Sequence, residues 1–370
     1  MKAVIGVPAV PPGRAAAAAS SVRAWLGRAR DALAPPPLRV MDAALSWLDH
    51  VTVQALCAVG VPDALDRRMA LDELRARLDV DCDSLVRLLR FAEARGWVRF
   101  DRRQRIRPTR ALAFLAEAHP GGWCAWIEFT ARPEVTAAGY ALGEAVANGA
   151  PAFKLANGST FFSWMREHPE ASAVFDAAMA AGARLHAIGL AKALRWDSTR
   201  TVCDVGGGNG ALLLTLTDLH PRLRGIVLDL PHVVRGLRST DRVEFVAGDT
   251  FDQVPRGQDR YLLVNVIHDW SDADALRVLT VVSAAATSSD ADVVVVEARR
   301  RARPLDDLAA RADMLMLALA PGGRERTSAE LDDLARSAGL RPVGAVRLPS
   351  ADTAHIYSSS KPGSAGNSAE

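Results

Sequence analysis

From Thr199 onward the chain repeats one pattern, a short aliphatic run followed by a helical stretch or a connecting loop: TVCDV, GIVLDL, VEFVAG, YLLVNVI and DVVVVEA. Runs this continuous, without polar alternates, belong to strands buried on both faces, as in a parallel sheet covered by helices. The expected fold class is therefore α/β, with a doubly wound, mostly parallel, Rossmann-like sheet over residues 197–358. The chain has 370 residues, 49% hydrophobic and 24% charged, so it can bury a large core and is long enough for two or three domains.

The region before the repeat reads differently. Residues 1–38 are rich in Ala, Pro and Arg and close on PPP, and they read as a disordered arm. Residues 39–110 combine short helical patterns with the two alternating runs of WVRFDRRQRIRPT, and ALDELRARLDV followed by DCDSLVRLLRFAEARG, capped by Asp83 or Ser84, spells a mainly α winged helix. Arg99, Arg102, Arg103, Arg105 and Arg107 on the hairpin fit either DNA contact or a solvated face of a dimerisation module; the second is preferred because a larger, catalytic-looking domain follows. Residues 111–196 read as a helical linker and substrate-pocket region, with Trp123, Trp126, Phe129, Phe153, Phe161, Phe162 and Trp164 as core or as a surface for a flat ring. The tail, residues 359–370, reads as disordered.

The net charge of +2 gives no strong field toward nucleic acid or membrane, and neither is expected as a partner. Cys57, Cys82, Cys124 and Cys203 are scattered, with no metal-type spacing, so neither a disulfide framework nor a metal is expected. Prolines and arginines spoil the N-terminus as a secretory signal, and no stretch reads as long enough to span a membrane. The expected location is cytoplasmic.

The first strand of the repeat runs into DVGGGNGALLLTL. Gly206, Gly208 and Ala211 satisfy a dinucleotide fingerprint, with Asp229 at the end of the second strand where an acid would hold a ribose. Asp204 narrows the choice. A carboxylate just before the glycines repels a pyrophosphate but suits a ligand carrying an amino group and a sulfonium, which is S-adenosylmethionine. AGDTF puts a third acid, Asp249, at the next strand end, within reach of an adenine amino group. Any one such aspartate could simply cap a helix; three in series beside a glycine loop point to a ligand.

In LLVNVIHDWSDADAL the fourth strand is expected to end on His268, and the fifth ends on Glu297 in VVVVEA. Both then lie beside the methyl donor, where a general base belongs. A phenol near pKa ~10 and a histidine near ~6.5 differ by about 5 kcal/mol, so the proton must move as the oxygen attacks. A carboxylate on the far ring nitrogen would fix the tautomer.

DVGGGNG, LDLPHVV, GDTF, HDWSD, VVVVEA and APGGRERT together resemble the S-adenosylmethionine-dependent small-molecule O-methyltransferases, the plant caffeate type and its bacterial natural-product relatives, over about residues 40–358. The resemblance implies an N-terminal winged-helix domain that forms a homodimer and a C-terminal domain that converts S-adenosylmethionine to S-adenosylhomocysteine. It implies His268 as base with Glu297 and Glu325 bracketing it. The cofactor set is then Asp204, Gly206, Gly207, Gly208, Asp229, Leu230, Asp249, Thr250, Phe251 and Val264. The acceptor set is Met179, Met316, Phe162, Trp126 and Asp269, the methionines being equally compatible with core packing. Two departures stand out: Val264 occupies a position that is basic in many relatives, and AAGAR lacks a serine that would hold the methionyl carboxylate, leaving Arg184 as a substitute. ARRRARP, residues 298–304, is unusually basic, a solvated loop or a contact for an acidic acceptor.

The expected activity is methylation of a phenolic hydroxyl on an aromatic, polyketide-type metabolite. The rival readings are a ligand-sensing winged-helix regulator of DNA, a family member turned to decarboxylation or hydroxylation, and a nicotinamide oxidoreductase, which Asp204 disfavours.

Overall fold

The structure, a computed structural model, describes residues 11–117, 119, 122–302 and 307–359. These residues form two compact units, one of 29–136 with 168–181, the other of 11–28, 137–167 and 182–359. The helical region 111–196 is thus divided between the units instead of forming a segment of its own.

In the first unit β1 (Met69–Ala70), β2 (Val98–Phe100) and β3 (Arg105–Pro108) make a small antiparallel sheet in the order β1-β3-β2. The helix Cys82–Ala94 packs on it through Leu85, Leu89 and Ala92, joining Leu56, Leu74, Val98 and Ile106 in one buried cluster. This is the expected winged-helix arrangement, with a different cap: Asp81, not Asp83 or Ser84, accepts the Ser84 N–H at 2.8 Å.

The second unit holds a seven-stranded sheet of β4 (Thr201–Val205), β5 (Arg224–Asp229), β6 (Val243–Ala247), β7 (Arg260–Val264), β8 (Asp292–Glu297), β9 (Arg341–Arg347) and β10 (Thr353–Ser358), in the order β6-β5-β4-β7-β8-β10-β9. β4 to β8 are parallel; β10 runs antiparallel to both β8 and β9. The valines of β8 explain the run VVVV. Val293 and Val295 join the core under the helices Asp272–Thr287 and Ser328–Ser337, while Val294 and Val296 join the opposite core with Leu212, Leu213 and Leu216. Strand order reverses between β4 and β7, which opens a crevice at their C-terminal ends.

Two expectations about the chain outside this frame are corrected. Residues 13–33, taken as part of a disordered arm, form the helix Gly13–Leu33. The run AAAAA has the highest helix propensity of any residue, and Gly13 lies so close to β9 that a Cβ there would sit 2.0 Å from the Arg347 carbonyl oxygen. One segment is also long and apolar enough to cross a membrane, the helix Pro169–Ala193. Its hydropathy comes largely from alanine, and Ala171, Ala178, Ala181, Ala187 and Leu190 are buried within the protein. Of the expected tail, residues 360–370 lie outside the described residues; Ser359 is buried and donates to the Ala291 carbonyl.

Gly225 on β5 leaves no room for a side chain: a Cβ would meet the Val202 carbonyl oxygen at 2.4 Å and Leu213 at 2.9 Å. Gly225→Ala is predicted to cost about 1–3 kcal/mol of stability, read from the urea midpoint at unchanged slope.

Candidate active site

His268 does not end a strand. β7 stops at Val264, Asn265 takes a left-handed conformation with φ 55°, and Ile267–Asp269 forms a 3₁₀ turn that carries the imidazole. The turn exists because Glu297, at the end of neighbouring β8, sends Oε1 among its backbone donors: the N–H groups of Val266, Ile267 and His268 donate at 3.2, 2.8 and 3.3 Å. From the other side Arg326 donates to the Ile267 and Trp270 carbonyls, both at 2.8 Å, and to Asp272. The His268 carbonyl accepts from the Arg324 N–H at 2.8 Å, an approach that requires glycine beside it, since a Cβ on Gly323 would lie 2.6 Å from that oxygen.

The imidazole is held by one nitrogen. His268 Nδ1 is 2.8 Å from Glu325 Oε1 and 3.2 Å from Glu297 Oε2, whereas among the described residues the ion-pair partner of Nε2 is Asp269 Oδ1, at 3.6 Å. Glu325 is fully buried, and its N–H donates to Asp313 at 2.8 Å. This network assigns the proton to Nδ1 and leaves the Nε2 lone pair available. Burial alone would lower the imidazole pKa, but Glu297, Asp269 and Glu325 more than offset it and hold His268 well above 6.5. Burial pushes Glu297 up to about 7 and Asp269 to about 6, in each case against the attraction of His268 and with a further push from Glu325. Ligand atoms of His268, Glu297 and Glu325 all lie within 4.8 Å of one another, so the same three side chains could also hold a cation.

At the end of β4 the glycine loop turns sharply, with Gly206 and Gly208 at φ +69° and +58°. Gly207 lies directly over Asp204, whose Oδ2 would be 2.6 Å from a Cβ there. Asp204 is buried, its Oδ2 has no partner among the described residues, and burial together with the Asp229 charge pushes it up to about 7. Asp229 accepts from Gly208 N–H and Leu230 N–H, both at 2.7 Å, which ties the loop to the tip of β5. Asp249 accepts from Phe251 N–H at 2.9 Å within its own turn, beside Thr250. Val264, partly buried, ends β7 next to the turn.

Phe251 meets Trp270 edge-on at 4.8 Å, and Trp270 stacks on Phe162 at 5.5 Å. Phe162, Asp269 and the buried Met316 therefore share the unit of His268. Met179 and Trp126 belong to the first unit, where Trp126 packs edge-on against Phe129 and its Nε1 is buried without a partner among the described residues. Sequence reasoning passed over Arg326, Asp313, Asn265 and Trp270. Arg326 and Trp270 stand inside motifs it had singled out, GGRERT and HDWSD, while Asp313 carried no local signal.

The O-methyltransferase domain family matches residues 140–341. O-demethylpuromycin-O-methyltransferase of Streptomyces alboniger is 32% identical over 327 residues, 84% of this chain and 85% of that protein. The chain belongs to the O-methyltransferase family. Among solved structures, the calicheamicin-biosynthesis methyltransferase CalO1 in its S-adenosylhomocysteine-bound form superposes with a TM-score of 0.77 at 30% identity, covering 87% of this chain and 97% of that one. NcsB1, an O-methyltransferase from neocarzinostatin biosynthesis in complex with S-adenosylmethionine and 2-hydroxy-5-methyl naphthoic acid, gives 0.64 at 29% identity, covering 84% and 95%.

An O-methyltransferase of this family needs a seat for S-adenosylmethionine, and the residues fit one. Asp204 offers a cationic amino group a buried carboxylate oxygen with no partner among the described residues, and Gly208 has open space where a side chain would project. Because Asp204 ionises near 7 in the folded protein and near 4 when unfolded, its burial costs stability progressively as pH rises between those values. Asp204→Asn is predicted to gain melting temperature over the wild type across that window and to level off above about pH 7, while cofactor affinity measured by calorimetry falls.

Proposed function

We propose that this O-methyltransferase methylates a phenolic hydroxyl of an aromatic, polyketide-type natural product, with His268 Nε2 removing the proton. The observation that carries this reading is the commitment of Nδ1 to Glu325 and Glu297, which leaves Nε2 as the open acceptor. Relatives named for puromycin, calicheamicin and neocarzinostatin chemistry support the natural-product setting, and the naphthoic acid bound to NcsB1 carries a phenolic hydroxyl. S-adenosylmethionine, when bound, supplies an electrophilic methyl group on a positively charged sulfur. Gly206, Gly207 and Gly208 would border it, Asp204 would take its amino group, Asp229 and Leu230 its ribose side, and Asp249, Thr250 and Phe251 its adenine. Val264 would contribute backbone. Met316, Phe162 and Asp269, in the unit of His268, would line the acceptor ring. Glu297 and Glu325 stabilise the imidazolium that forms, so a proton and not a metal occupies the cluster in this reading. The setting is the cytoplasm, where the four free thiols stay reduced.

Only the neutral imidazole can accept a proton, and the surrounding carboxylates hold His268 well above 6.5. The rate constant kcat/KM is therefore expected to rise with pH through a limb above 6.5, and Glu325→Gln, which removes one raising charge, to move that limb to lower pH. His268→Ala is expected to keep cofactor affinity and lose about a hundred to ten thousandfold in turnover. Unchanged turnover in His268→Ala, measured by mass spectrometry of methylated phenols, would refute the base.

We infer further that the chain forms a homodimer through its N-terminal unit. The helix Pro36–Leu45 buries none of its residues, and Leu38, Val40 and Met41 are 57%, 70% and 55% exposed, an apolar face suited to a second copy. Val40→Glu with Met41→Glu should convert a dimer to a monomer in analytical ultracentrifugation, and a wild type that sediments as a monomer would end this reading.

A further inference from the structure

Arg326 follows Glu325 in GGRERT, yet its side chain goes to the backbone around the base and not to the ring. The residue is buried, 6% exposed, and its guanidinium forks. Nη1 donates to the Ile267 carbonyl and Nη2 to the Trp270 carbonyl, both at 2.8 Å, while Nε and Nη2 reach Asp272 Oδ1 at 3.0 and 2.8 Å. The two carbonyls lie on either side of His268 and Asp269, so one planar group spans the segment that carries the imidazole.

This segment has little to hold it from within. Its own backbone bonds are long, Asp269 N–H to the Val266 carbonyl at 3.3 Å and Trp270 N–H to the Ile267 carbonyl at 3.4 Å. Opposite charges hold it from outside. Glu297 Oε1 collects the N–H groups of Val266, Ile267 and His268 at one end, and Arg326 collects carbonyls at the other.

The clamp is itself anchored. The Glu325 N–H donates to Asp313 at 2.8 Å, Arg300 donates from Nε to the Glu325 carbonyl at 3.1 Å and from its N–H to the Arg326 carbonyl at 3.0 Å, and Thr327 caps the helix Ser328–Ser337. Both oxygens of Glu330 hold Arg300, at 2.6 and 2.8 Å, which gives one arginine of the basic run ARRRARP a place in the site. The backbone on both sides of Arg326 is thus fixed. Asp272, its counter-ion, has a side chain 54% exposed, so the pair is a weak source of stability for the charge it buries. Its geometry serves position instead: Trp270, whose carbonyl it holds, carries the ring that stacks on Phe162 and meets Phe251 edge-on.

We propose that Arg326 is a positioning residue for methyl transfer: by spanning Ile267 and Trp270 it sets where His268 Nε2 stands relative to the Trp270 ring, and it acts on the reaction through that placement. This rests on His268 as the base. Lysine keeps the charge but has no planar fork, so Arg326→Lys removes the span and leaves the field.

The test measures methylation of alpha-naphthol by the full-length protein with S-adenosylmethionine, in Arg326→Met and Arg326→Lys, each alone and combined with His268→Ala. Relative to wild type, kcat is expected to fall about a hundredfold in Arg326→Met and at least about tenfold in Arg326→Lys, with S-adenosylhomocysteine affinity by calorimetry unchanged. The pH limb of Arg326→Lys is expected to stay at its wild-type position. In the His268→Ala background either substitution is expected to add nothing, because the two residues act as a unit. Melting temperatures identify a variant that fails to fold, and the other then decides; failure of both overturns the proposal in favour of a purely structural role. A loss that multiplies with that of His268→Ala, a loss confined to KM, or wild-type kcat in both variants also overturns it. If His268→Ala keeps its turnover the base reading fails, and nitrogen NMR of the histidine rings then judges the clamp, as it does if the naphthol is not methylated. The His268 ring signals, identified by their absence in His268→Ala, are expected to shift in Arg326→Lys, and unshifted signals overturn the proposal.

Discussion

One carboxylate holds the site together. Glu297 Oε1 accepts from three successive backbone N–H groups of the turn after β7, and Oε2 faces His268 Nδ1. The same side chain thus decides where the imidazole stands and what charge it feels. A turn with three aligned donors needs an anion to satisfy them, and Glu297, ending the adjacent parallel strand, is the nearest one available. Burial, with the Glu325 and Asp269 charges, pushes its pKa up to about 7 against His268 and the N–H groups, which favour the anion. Loss of the carboxylate would leave an unsupported turn and an unbalanced buried histidine together, so structural and catalytic effects of Glu297 cannot be separated by deletion alone.

Parallel strand order brings these parts together. β4 and β7 are neighbours in the sheet but distant in sequence, so the glycine loop after β4 and the histidine turn after β7 emerge side by side. β8 follows β7 in register, from Arg260 opposite Asp292 to Val264 opposite Val296, which delivers Glu297 one position beyond the last paired residue. Arg326 and Gly323 then close the turn from a loop that belongs to no strand. The imidazole, the anion that holds its turn and the arginine clamp thus come from three separate segments.

Much of this was legible in the sequence where the signal was local. The aliphatic runs gave the parallel strands, because burial on both faces writes itself into every residue of β8, and the glycine loop was legible because only glycine fits its positive φ. His268, Glu297 and Glu325 come together, although both carboxylates stand at Nδ1 and do not bracket the ring. The 3₁₀ turn escaped notice, since aliphatic residues through Ile267 read as strand and the donor capture by Glu297 acts from 30 residues away in the chain. Asp313 escaped for the same reason, being defined by one contact to the Glu325 backbone. The N-terminal helix was misread because alanine and proline were weighed as disorder composition, when an alanine run forms helix wherever a surface such as β9 stops it from fraying.

Across the sheet, charge is distributed in a way that the net value of +2 conceals. The tips of β4, β5 and β6 present Asp204, Asp229 and Asp249; the centre holds the histidine with two glutamates at its Nδ1; beyond β8, on the side of β10 and β9, come Arg299, Arg301 and Arg347. A cationic ligand approaching that edge meets a favourable field at the acids and an unfavourable one at the arginines. Buried or half-buried groups contribute most to such a field because water screens them least, and Asp204 is buried and Arg299 half-buried. The imidazole stands where the sign changes. In the proposed reaction a proton passing to Nε2 would leave the neighbourhood of the cationic methyl source for an imidazole whose other nitrogen faces Glu297 and Glu325, a transfer that those carboxylates favour.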